Sequence, residues 1–184
     1  MGLSTEVTIE RLDGPAAVGA EGDFRRVYAE VFAEPPYEEG EEEVAVSFRR
    51  FRAQCRADSF AGAVARGADG EPVGMAYGRA LGHDAVWWDH LTVPVAAAMR
   101  REDGRRTFGV MELAVRAPWR RRGVARRLHA ALFQGNGAER ALLNVHQDNA
   151  AAVAAYRAWG YRKVGESRPW AGADLHDVMV LELR

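Results

Sequence analysis

The sequence predicts a mixed α/β (α+β) fold for this chain. Runs with strand periodicity and runs with helical periodicity follow one another in the order β-α-α-β-β-β-α-β-α-β-β. Two of the strand runs are joined by a Gly-rich turn at residues 67–70, which is typical of a β-hairpin. Two later strand runs flank an amphipathic helix, and a strand–helix–strand unit of this kind favours a parallel pair. The sheet should therefore contain both antiparallel and parallel strands.

Length and composition favour one domain that covers residues 1–184. The chain has 184 residues, of which 48% are hydrophobic, and this is enough to build one core that holds a cleft. A formal net charge of −1 gives no overall basic field, so we expect no nucleic-acid partner. The single cysteine, Cys55, rules out an intrachain disulfide and a cysteine-based metal site, and we expect no metal.

The sequence shows no sign of export or of a membrane span. The N-terminus lacks a signal-peptide pattern, and no apolar run approaches the roughly 20 residues that cross a bilayer. We therefore expect a soluble, cytoplasmic protein with no membrane partner. Lys163 is the only lysine among many arginines, a bias typical of bacterial genomes rich in G and C.

The first half of the chain contains three predicted strands and two predicted helices. Glu6–Leu12 indicates a strand that ends at a Gly-Pro turn. Asp23 is the predicted N-cap of the first helix, and the acidic run Glu38–Glu43 opens the second. Phe60–Arg66 and Glu71–Leu81 are the strands of the hairpin.

The second half begins with Gly82–Arg106, which has no clear periodicity and is predicted to be an irregular insertion with room for one strand. Regular elements follow it, and each is bounded by a glycine or a capping residue. These elements are strand Thr107–Val115, a helix from Gly123 to near Gly135, strand Arg140–Val145, a helix capped by Asn149, and strands Tyr161–Glu166 and Asp174–Leu183.

The passage from the strand Thr107–Val115 into the next helix has the features of an anion-binding turn. The strand run stops at Pro118, the chain turns through Arg120–Gly123, and an amphipathic helix follows. A helix start exposes unpaired N–H groups and the positive end of the helix dipole, and Gly123 leaves room for phosphates to approach. The alternatives are a solvated helix start or a weak nucleic-acid patch.

Two stretches in this half of the chain follow spaced motifs. Arg120, Gly123 and Ala125 fit the loop Arg/Gln-x-x-Gly-x-Gly/Ala, and the pattern Asn-x-x-Ala-x-x-x-Tyr-x-x-x-Gly-Phe is matched by Asn149, Ala152, Tyr156 and Gly160, with Tyr161 in place of the final Phe. These motifs resemble those of the GNAT superfamily of N-acyltransferases. The resemblance implies the GNAT fold, whose mostly antiparallel central sheet has a splayed parallel strand pair and helices on both faces.

The resemblance also implies acetyl-CoA as co-substrate and assigns residues to it. In the family, the pantetheine arm bonds the free edge of the strand before the loop, and the diphosphate lies on backbone amides at the start of the helix. In this chain those positions are Leu113, Ala114 and Val115 for the strand edge, Arg120, Arg121, Arg122, Gly123, Val124, Ala125 and Arg126 for the loop, and Asn149 for a further contact with pantetheine.

Acyl transfer to an amine needs a base for the amine and an acid for the departing thiolate. By resemblance, Tyr156 is the general acid, and a core aromatic is its alternative interpretation. Glu112 is the candidate base because a carboxylate in an otherwise apolar strand should have its pKa raised towards neutrality. His146 and His90 are the other candidate bases, and Glu112 has the alternative of a strand-face carboxylate that meets solvent or pairs with an arginine.

The acceptor is an amine of a small molecule or peptide, and no motif identifies it. Tyr37, Trp87 and Trp88 are candidate substrate contacts, with core packing as the alternative, and Asn144 is a polar candidate inside a strand. Homodimers are common in the family, so a homodimer is one expectation. A non-catalytic acyl-CoA-binding sensor on the same fold is the alternative function. Nucleotide binding fits poorly because the chain lacks a P-loop motif.

Overall fold

The computed structural model of the chain describes residues 6–184. Residues 1–5 lie outside the described part, and the expected absence of a signal peptide falls partly on them. The strands are β1 (Thr8–Leu12), β2 (Ala61–Arg66), β3 (Pro72–Ala80), β4 (Thr107–Val115), β5 (Arg140–His146), β6 (Arg162–Ser167) and β7 (His176–Glu182). The α-helices are α1 (Gly14–Gly19), α2 (Glu21–Phe32), α3 (Glu41–Gln54), α4 (Ala97–Arg100), α5 (Val124–Phe133) and α6 (Ala150–Ala158).

The strands form one sheet in the order β1-β2-β3-β4-β5-β7-β6. Strands β1 and β2, β2 and β3, β5 and β7, and β6 and β7 pair antiparallel, whereas β4 and β5 pair parallel. The parallel register joins residues 107–109 of β4 to residues 140–142 of β5. These pairings confirm the predicted mixed fold, the hairpin β2–β3 and the parallel strand–helix–strand unit.

The structure corrects the sequence analysis near the N-terminus. Asp13 caps the short helix α1, and its Oδ1 accepts a hydrogen bond of 2.9 Å from the backbone N–H of Ala16. The Gly-Pro pair after Asp13 indicated only a turn, but proline is also tolerated in the first turn of a helix. Helix α2 begins at Glu21, so Asp23 lies in its first turn, and the predicted N-cap at Asp23 was wrong.

The predicted insertion contains two short helical segments in place of a strand. Trp87–His90 forms a single 3-10 turn and α4 follows it. Strand-like pairing in this insertion is limited to Leu91, which makes one isolated β-bridge with Ser167. The strand for which the sequence analysis left room was therefore wrong.

Two compact units are distinguished by their internal contacts. The first unit contains the described residues up to Arg79 together with Met111–Asn136, and the second contains Ala80–Val110 together with Gly137–Arg184. The expectation of one domain over residues 1–184 stays a prediction.

In the first unit, helices pack on both faces of the hairpin β2–β3. A Cβ built on Gly62 would lie 3.2 Å from the ring of Phe24 on α2, and one built on Gly74 would lie 2.9 Å from the side chain of Leu128 on α5. Gly74 is paired with Ala65, three residues from Gly62 along β2, so alternation places the two glycines on opposite faces. The α2 side carries an aromatic core of Phe24, Tyr28, Phe48, Phe51, Phe60 and Tyr77.

In the second unit, a buried ion pair fixes the insertion to strand β5. The side chains of Arg140 and Glu102 are 2% and 3% exposed, and Arg140 Nη2 lies 3.0 Å from Glu102 Oε1. Arg140 also donates to the hydroxyl of Thr107 and to the carbonyl of Met99, both at 2.7 Å. The indole of Trp88 donates to the same Glu102 oxygen at 2.8 Å. Residues 88–102 are therefore tied to the sheet by one buried charge network.

Removing one partner of this ion pair should destabilise the protein strongly. In Glu102→Leu the guanidinium of Arg140 stays buried without its anion, and we expect the free energy of unfolding to fall by about 3–5 kcal/mol. Denaturant unfolding measures this change. The double variant Glu102→Leu/Arg140→Met is the control and should recover most of the loss, because an apolar pair leaves no unpaired buried charge. A single-variant loss below about 1 kcal/mol would contradict the anchoring role.

Candidate functional site

The turn after β4 contains two left-handed residues, separated by Arg122, before α5 begins. A 3-10 turn at Ala117–Trp119 follows the strand, and Arg121 and Gly123 then have φ angles of 61° and 76°. Left-handed backbone costs a residue with a side chain about 1–2 kcal/mol, so the conformation of Arg121 must be held by its surroundings. Gly123 is the N-cap of α5 and adopts this conformation without that cost.

Among residues 6–184, no side chain caps the amides at the start of α5. No cap side chain bonds to the first turn, and that turn contains no acidic residue. The hydrogen bond from the amide of Arg127 to the carbonyl of Gly123 is 3.1 Å long, and the amides of Val124, Ala125 and Arg126 precede it. Unpaired amides at the positive end of the dipole favour an anion, and phosphate is the common ligand of such a helix start.

The arginine side chains of this loop differ in what they contact. Arg120 forms a bidentate ion pair with Glu34, with nitrogen–oxygen distances of 2.8 and 2.9 Å, and its Nε donates to the carbonyl of Val115 at 2.8 Å. The hydrogen bond from Arg120 holds the pKa of Glu34 below its usual range. Arg122 lies over the ring of Trp119 at 5.3 Å. Arg120 therefore holds the loop to the end of β4 by its side chain, and its predicted role in cofactor binding stays a prediction.

The residues predicted to line the pantetheine arm lie at the end of β4. Leu113 is partly exposed, while Ala114 and Val115 are buried. The carbonyl of Val115 accepts from Arg120, and the amide of the next residue, Arg116, donates to the carbonyl of Val73 at 2.9 Å. The backbone at the end of β4 is thus fixed by neighbours in its own unit.

Glu112 is a partly buried carboxylate that makes no hydrogen bond and no ion pair with residues 6–184. Burial raises its pKa to about 8, the charge of Glu39 adds to the rise, and Arg50 opposes it. This confirms the expectation that an apolar strand raises the pKa of Glu112 towards neutrality. A carboxylate with this pKa is able to take up and release a proton near physiological pH.

A polar network close to Glu112 was missed by the sequence analysis. The hydroxyl of Tyr28 donates to Glu39 Oε2 at 2.7 Å and lies 2.9 Å from the hydroxyl of Ser47. Burial and then the charge of Glu112 raise the pKa of Tyr28, and burial also raises that of Glu39. The only signal in the sequence was the acidic run Glu38–Glu43, which does not distinguish Glu39 from its neighbours.

In the second unit, Asn149 and Tyr156 lie at opposite ends of α6. Asn149 caps the helix, and its side chain accepts from the amide of Ala152 at 3.1 Å, which confirms the predicted cap. Tyr156 is 9% exposed and makes edge-to-face contacts with Trp159 and Tyr161, each with ring centres 5.5 Å apart. The roles of Asn149 and Tyr156 towards a thioester stay predictions.

Both ring nitrogens of His146 form hydrogen bonds. Its Nδ1 accepts from the amide of Asp148 at 3.1 Å, and its Nε2 therefore carries the proton that is shared with Asp174 Oδ2 at 3.0 Å. These bonds fix the orientation of the ring, and the hydrogen bond with His146 holds the pKa of Asp174 below its usual range. We do not propose His146 as the base, because accepting a proton would break its bond to Asp148.

The four predicted substrate contacts have different surroundings. Tyr37, in the first unit, packs on Phe32 with ring centres 4.7 Å apart. In the second unit, Trp87 and Asn144 are brought together by a hydrogen bond of 3.0 Å from the indole nitrogen to Asn144 Oδ1. Trp88 is buried and bonds to Glu102, which matches the core-packing alternative. A substrate role for each stays a prediction.

Two further features concern the described part of the chain as a whole. Within residues 6–184, none of the helices combines the length and the apolar character needed to cross a bilayer. In the same residues, no group of three or more histidine, cysteine, aspartate or glutamate side chains is arranged to hold a metal ion.

The chain is similar over almost its whole length to solved structures of acetyltransferases, at identities that show the fold alone. Ard1 from Thermoplasma volcanium matches with 18% identity and a TM-score of 0.63, covering 97% of this chain and 98% of that one. The ribosomal-protein-S18-alanine N-acetyltransferase from Escherichia coli matches with 17% identity and a TM-score of 0.59, covering 97% and 94%. The PaiA N-acetyltransferase from Thermoplasma acidophilum in complex with coenzyme A matches with 14% identity and a TM-score of 0.57, covering 96% and 99%.

No curated protein sequence matches the chain. The sequence profile of the Acetyltransferase (GNAT) family matches residues 24–161, which include both motifs, Glu112 and the insertion. Because this match covers well over half of the 184 residues, the chain belongs to the GNAT acetyltransferase family.

Proposed function

We propose that the chain is an N-acetyltransferase that moves an acetyl group from acetyl-CoA to a primary amine of a small molecule or peptide by direct attack in a ternary complex. The observation that carries the proposal is Glu112, a carboxylate without a hydrogen-bond or ion-pair partner among residues 6–184, whose pKa is raised by burial to about 8. Leaving a carboxylate unpaired in an apolar strand is costly, and a proton-transfer role gives a reason to keep it.

The start of α5 fits the diphosphate of acetyl-CoA. Its first-turn amides have no capping side chain, and Gly123 presents no Cβ to an approaching phosphate. We assign the diphosphate to the loop from Arg120 to Arg126, and the pantetheine arm to the edge Leu113–Val115 and to Asn149. When bound, acetyl-CoA supplies an activated acyl thioester. The structure of PaiA from Thermoplasma acidophilum with coenzyme A supports this choice of co-substrate.

The residues of the chain would manage the two protons of the reaction. Glu112 removes the proton that the acceptor amine loses on attack, directly or through a water molecule. The hydroxyl of Tyr156 donates a proton to the sulfur that leaves. The charge of Glu39, which accepts a hydrogen bond from Tyr28, raises the pKa of Glu112 further.

Direct attack, without an acyl-enzyme, is supported by the state of the only cysteine. Cys55 is buried in the aromatic core of the first unit, and burial raises the pKa of its thiol to about 11. A thiol with this pKa has almost no thiolate at neutral pH, so it is a poor nucleophile.

We further propose a single domain over residues 1–184 in a cytoplasmic protein that forms a homodimer and needs no metal.

A bulky residue at Gly123 should weaken acetyl-CoA binding. Gly123→Val places a side chain at the loop, and we expect the dissociation constant measured by calorimetry to rise at least about 10-fold, equal to roughly 1.4 kcal/mol. Gly135→Val is a matched control at the other end of α5, because the two glycines have φ angles of 76° and 78° and neither has an atom within 4 Å of a built Cβ. Equal dissociation constants for acetyl-CoA in Gly123→Val and Gly135→Val would contradict the assignment of the diphosphate to this loop.

Removing the hydroxyl of Tyr156 should slow turnover and spare cofactor binding. In Tyr156→Phe we expect kcat to fall about 100-fold, the lower range for loss of a general acid, with unchanged affinity for acetyl-CoA. Tyr161→Phe removes a hydroxyl from the neighbouring ring, 5.5 Å away, and should leave kcat within about twofold. CoA release is the measurement, and equal rates in Tyr156→Phe and wild type would remove Tyr156 from the mechanism.

The pH dependence of turnover should follow the pKa of Glu112. The carboxyl is protonated and inactive as a base below its pKa, so kcat/KM should rise with pH and level off above about 8. Glu112→Gln should lower kcat/KM by about 100-fold or more at pH 8.

A folding measurement separates this role from a structural one. Because the folded state raises the pKa of Glu112 from 4.5 to about 8, its contribution to stability is complete below pH 4.5 and is lost as the pH rises through about 8. Glu112→Gln should therefore be more stable than wild type at pH 9, by on the order of 2 kcal/mol for a partly exposed group, and equally stable at pH 4. A flat pH profile of kcat/KM together with this stability gain would show a buried carboxylate with no catalytic role.

A further inference from the structure

Asn144 is a polar residue inside an apolar strand, and one end of its side chain is already bonded. Strand β5 has buried apolar residues on either side of Asn144, which is itself partly exposed. The indole nitrogen of Trp87 donates to Asn144 Oδ1 at 3.0 Å. Because an indole N–H only donates, the atom that it meets must be the carbonyl oxygen of the amide. The orientation of the Asn144 amide is thus fixed by Trp87.

The opposite end of the amide is a pair of unused donors. The NH2 group of Asn144 finds no hydrogen-bond acceptor among residues 6–184. An amide group left unpaired when water is excluded costs about 1–3 kcal/mol, so a ligand that covers it must offer an acceptor atom. A protonated amine offers only donors, whereas a carbonyl oxygen offers two lone pairs.

Trp87 directly precedes Trp88, which belongs to the buried network of the insertion. Trp88 donates to Glu102, and the guanidinium of Arg140 lies 5.3 Å from the centre of the Trp88 ring. Arg140 and Asn144 lie on the same face of β5, because they are four residues apart. The ion pair at one position of the strand therefore holds the residue next to the tryptophan that orients the amide at the other.

We propose that Asn144, oriented by Trp87, is a specificity-determining residue that donates a hydrogen bond to a carbonyl oxygen next to the amine of the acceptor. The acceptor class is then an α-amino carbonyl compound, meaning an amino-acid amide or the N-terminus of a peptide. This inference rests on the proposed function.

The test compares CoA release with L-alaninamide and with isopropylamine, which differ by replacement of a carboxamide with a methyl group. Asn144→Leu removes the donors at similar size, Asn144→Asp keeps an oxygen for Trp87 but removes the donors, and Trp87→Phe keeps a ring but removes the indole N–H. We expect kcat/KM for L-alaninamide to fall about 10–100-fold in the Asn144 variants and about 3–10-fold in Trp87→Phe. For isopropylamine the change should stay within about twofold.

Comparing each variant with wild type for one acceptor at a time cancels the different basicity of the two amines. An equal loss for both acceptors, or a weaker affinity for acetyl-CoA in the Asn144 variants, would overturn the proposal. If wild type releases no CoA with any amine, the proposed function fails separately. Ligand-observed NMR of L-alaninamide on the CoA-loaded protein then decides the inference: binding lost in Asn144→Leu and Asn144→Asp upholds the carbonyl site, and equal binding rejects it.

Discussion

The candidate site of the first unit depends on the unpaired amides at the start of α5. A helix leaves its first N–H groups without internal partners, and this helix begins at a glycine that has no side chain to cap them. Arg121 and Gly123 have left-handed backbone and turn the chain from the end of β4 into the start of α5. Arg120 then secures the turn by bonding the carbonyl of Val115 and the carboxylate of Glu34. The loop is built by its own unit and leaves backbone donors for an anion.

Glu112 shows how burial changes the pKa of a carboxylate at a cost in stability. The strand that ends at the loop holds this carboxylate in apolar surroundings, with the negative Glu39 close by. Both effects disfavour the ionised side chain and bring its pKa to about 8. The hydroxyl of Tyr28 holds Glu39 in place at 2.7 Å, so the electrostatic environment of Glu112 is set by residues on α2 and on the segment before α3. A carboxylate at the surface would destabilise the fold less. Its pKa would be lower, so it would be less suited to take up a proton near neutral pH.

The second unit uses a buried ion pair to order an insertion that has little regular structure. The Arg140–Glu102 pair and the indole of Trp88 form one network, and the neighbouring Trp87 turns the amide of Asn144. A buried ion pair is weak support for stability by itself, since an apolar pair of similar size would often serve as well. Its directional bonds give the insertion, which contains Trp87, one defined position.

The sequence predicted the strands, the helices α2, α3, α5 and α6, the hairpin, the parallel strand pair, the cap at Asn149 and the loop before α5, because periodicity, glycine and capping residues act over a few neighbouring positions. It did not predict α1 or α4, and it misjudged Asp13 and Asp23, since an aspartate before a helical run fits a cap at either site. The contacts of Tyr28 with Glu39, of Arg140 with Glu102 and of Trp87 with Asn144 appeared only in the folded chain. The last two pairs are 38 and 57 residues apart. No local pattern joins such residues, because their contact arises only when separate elements pack together.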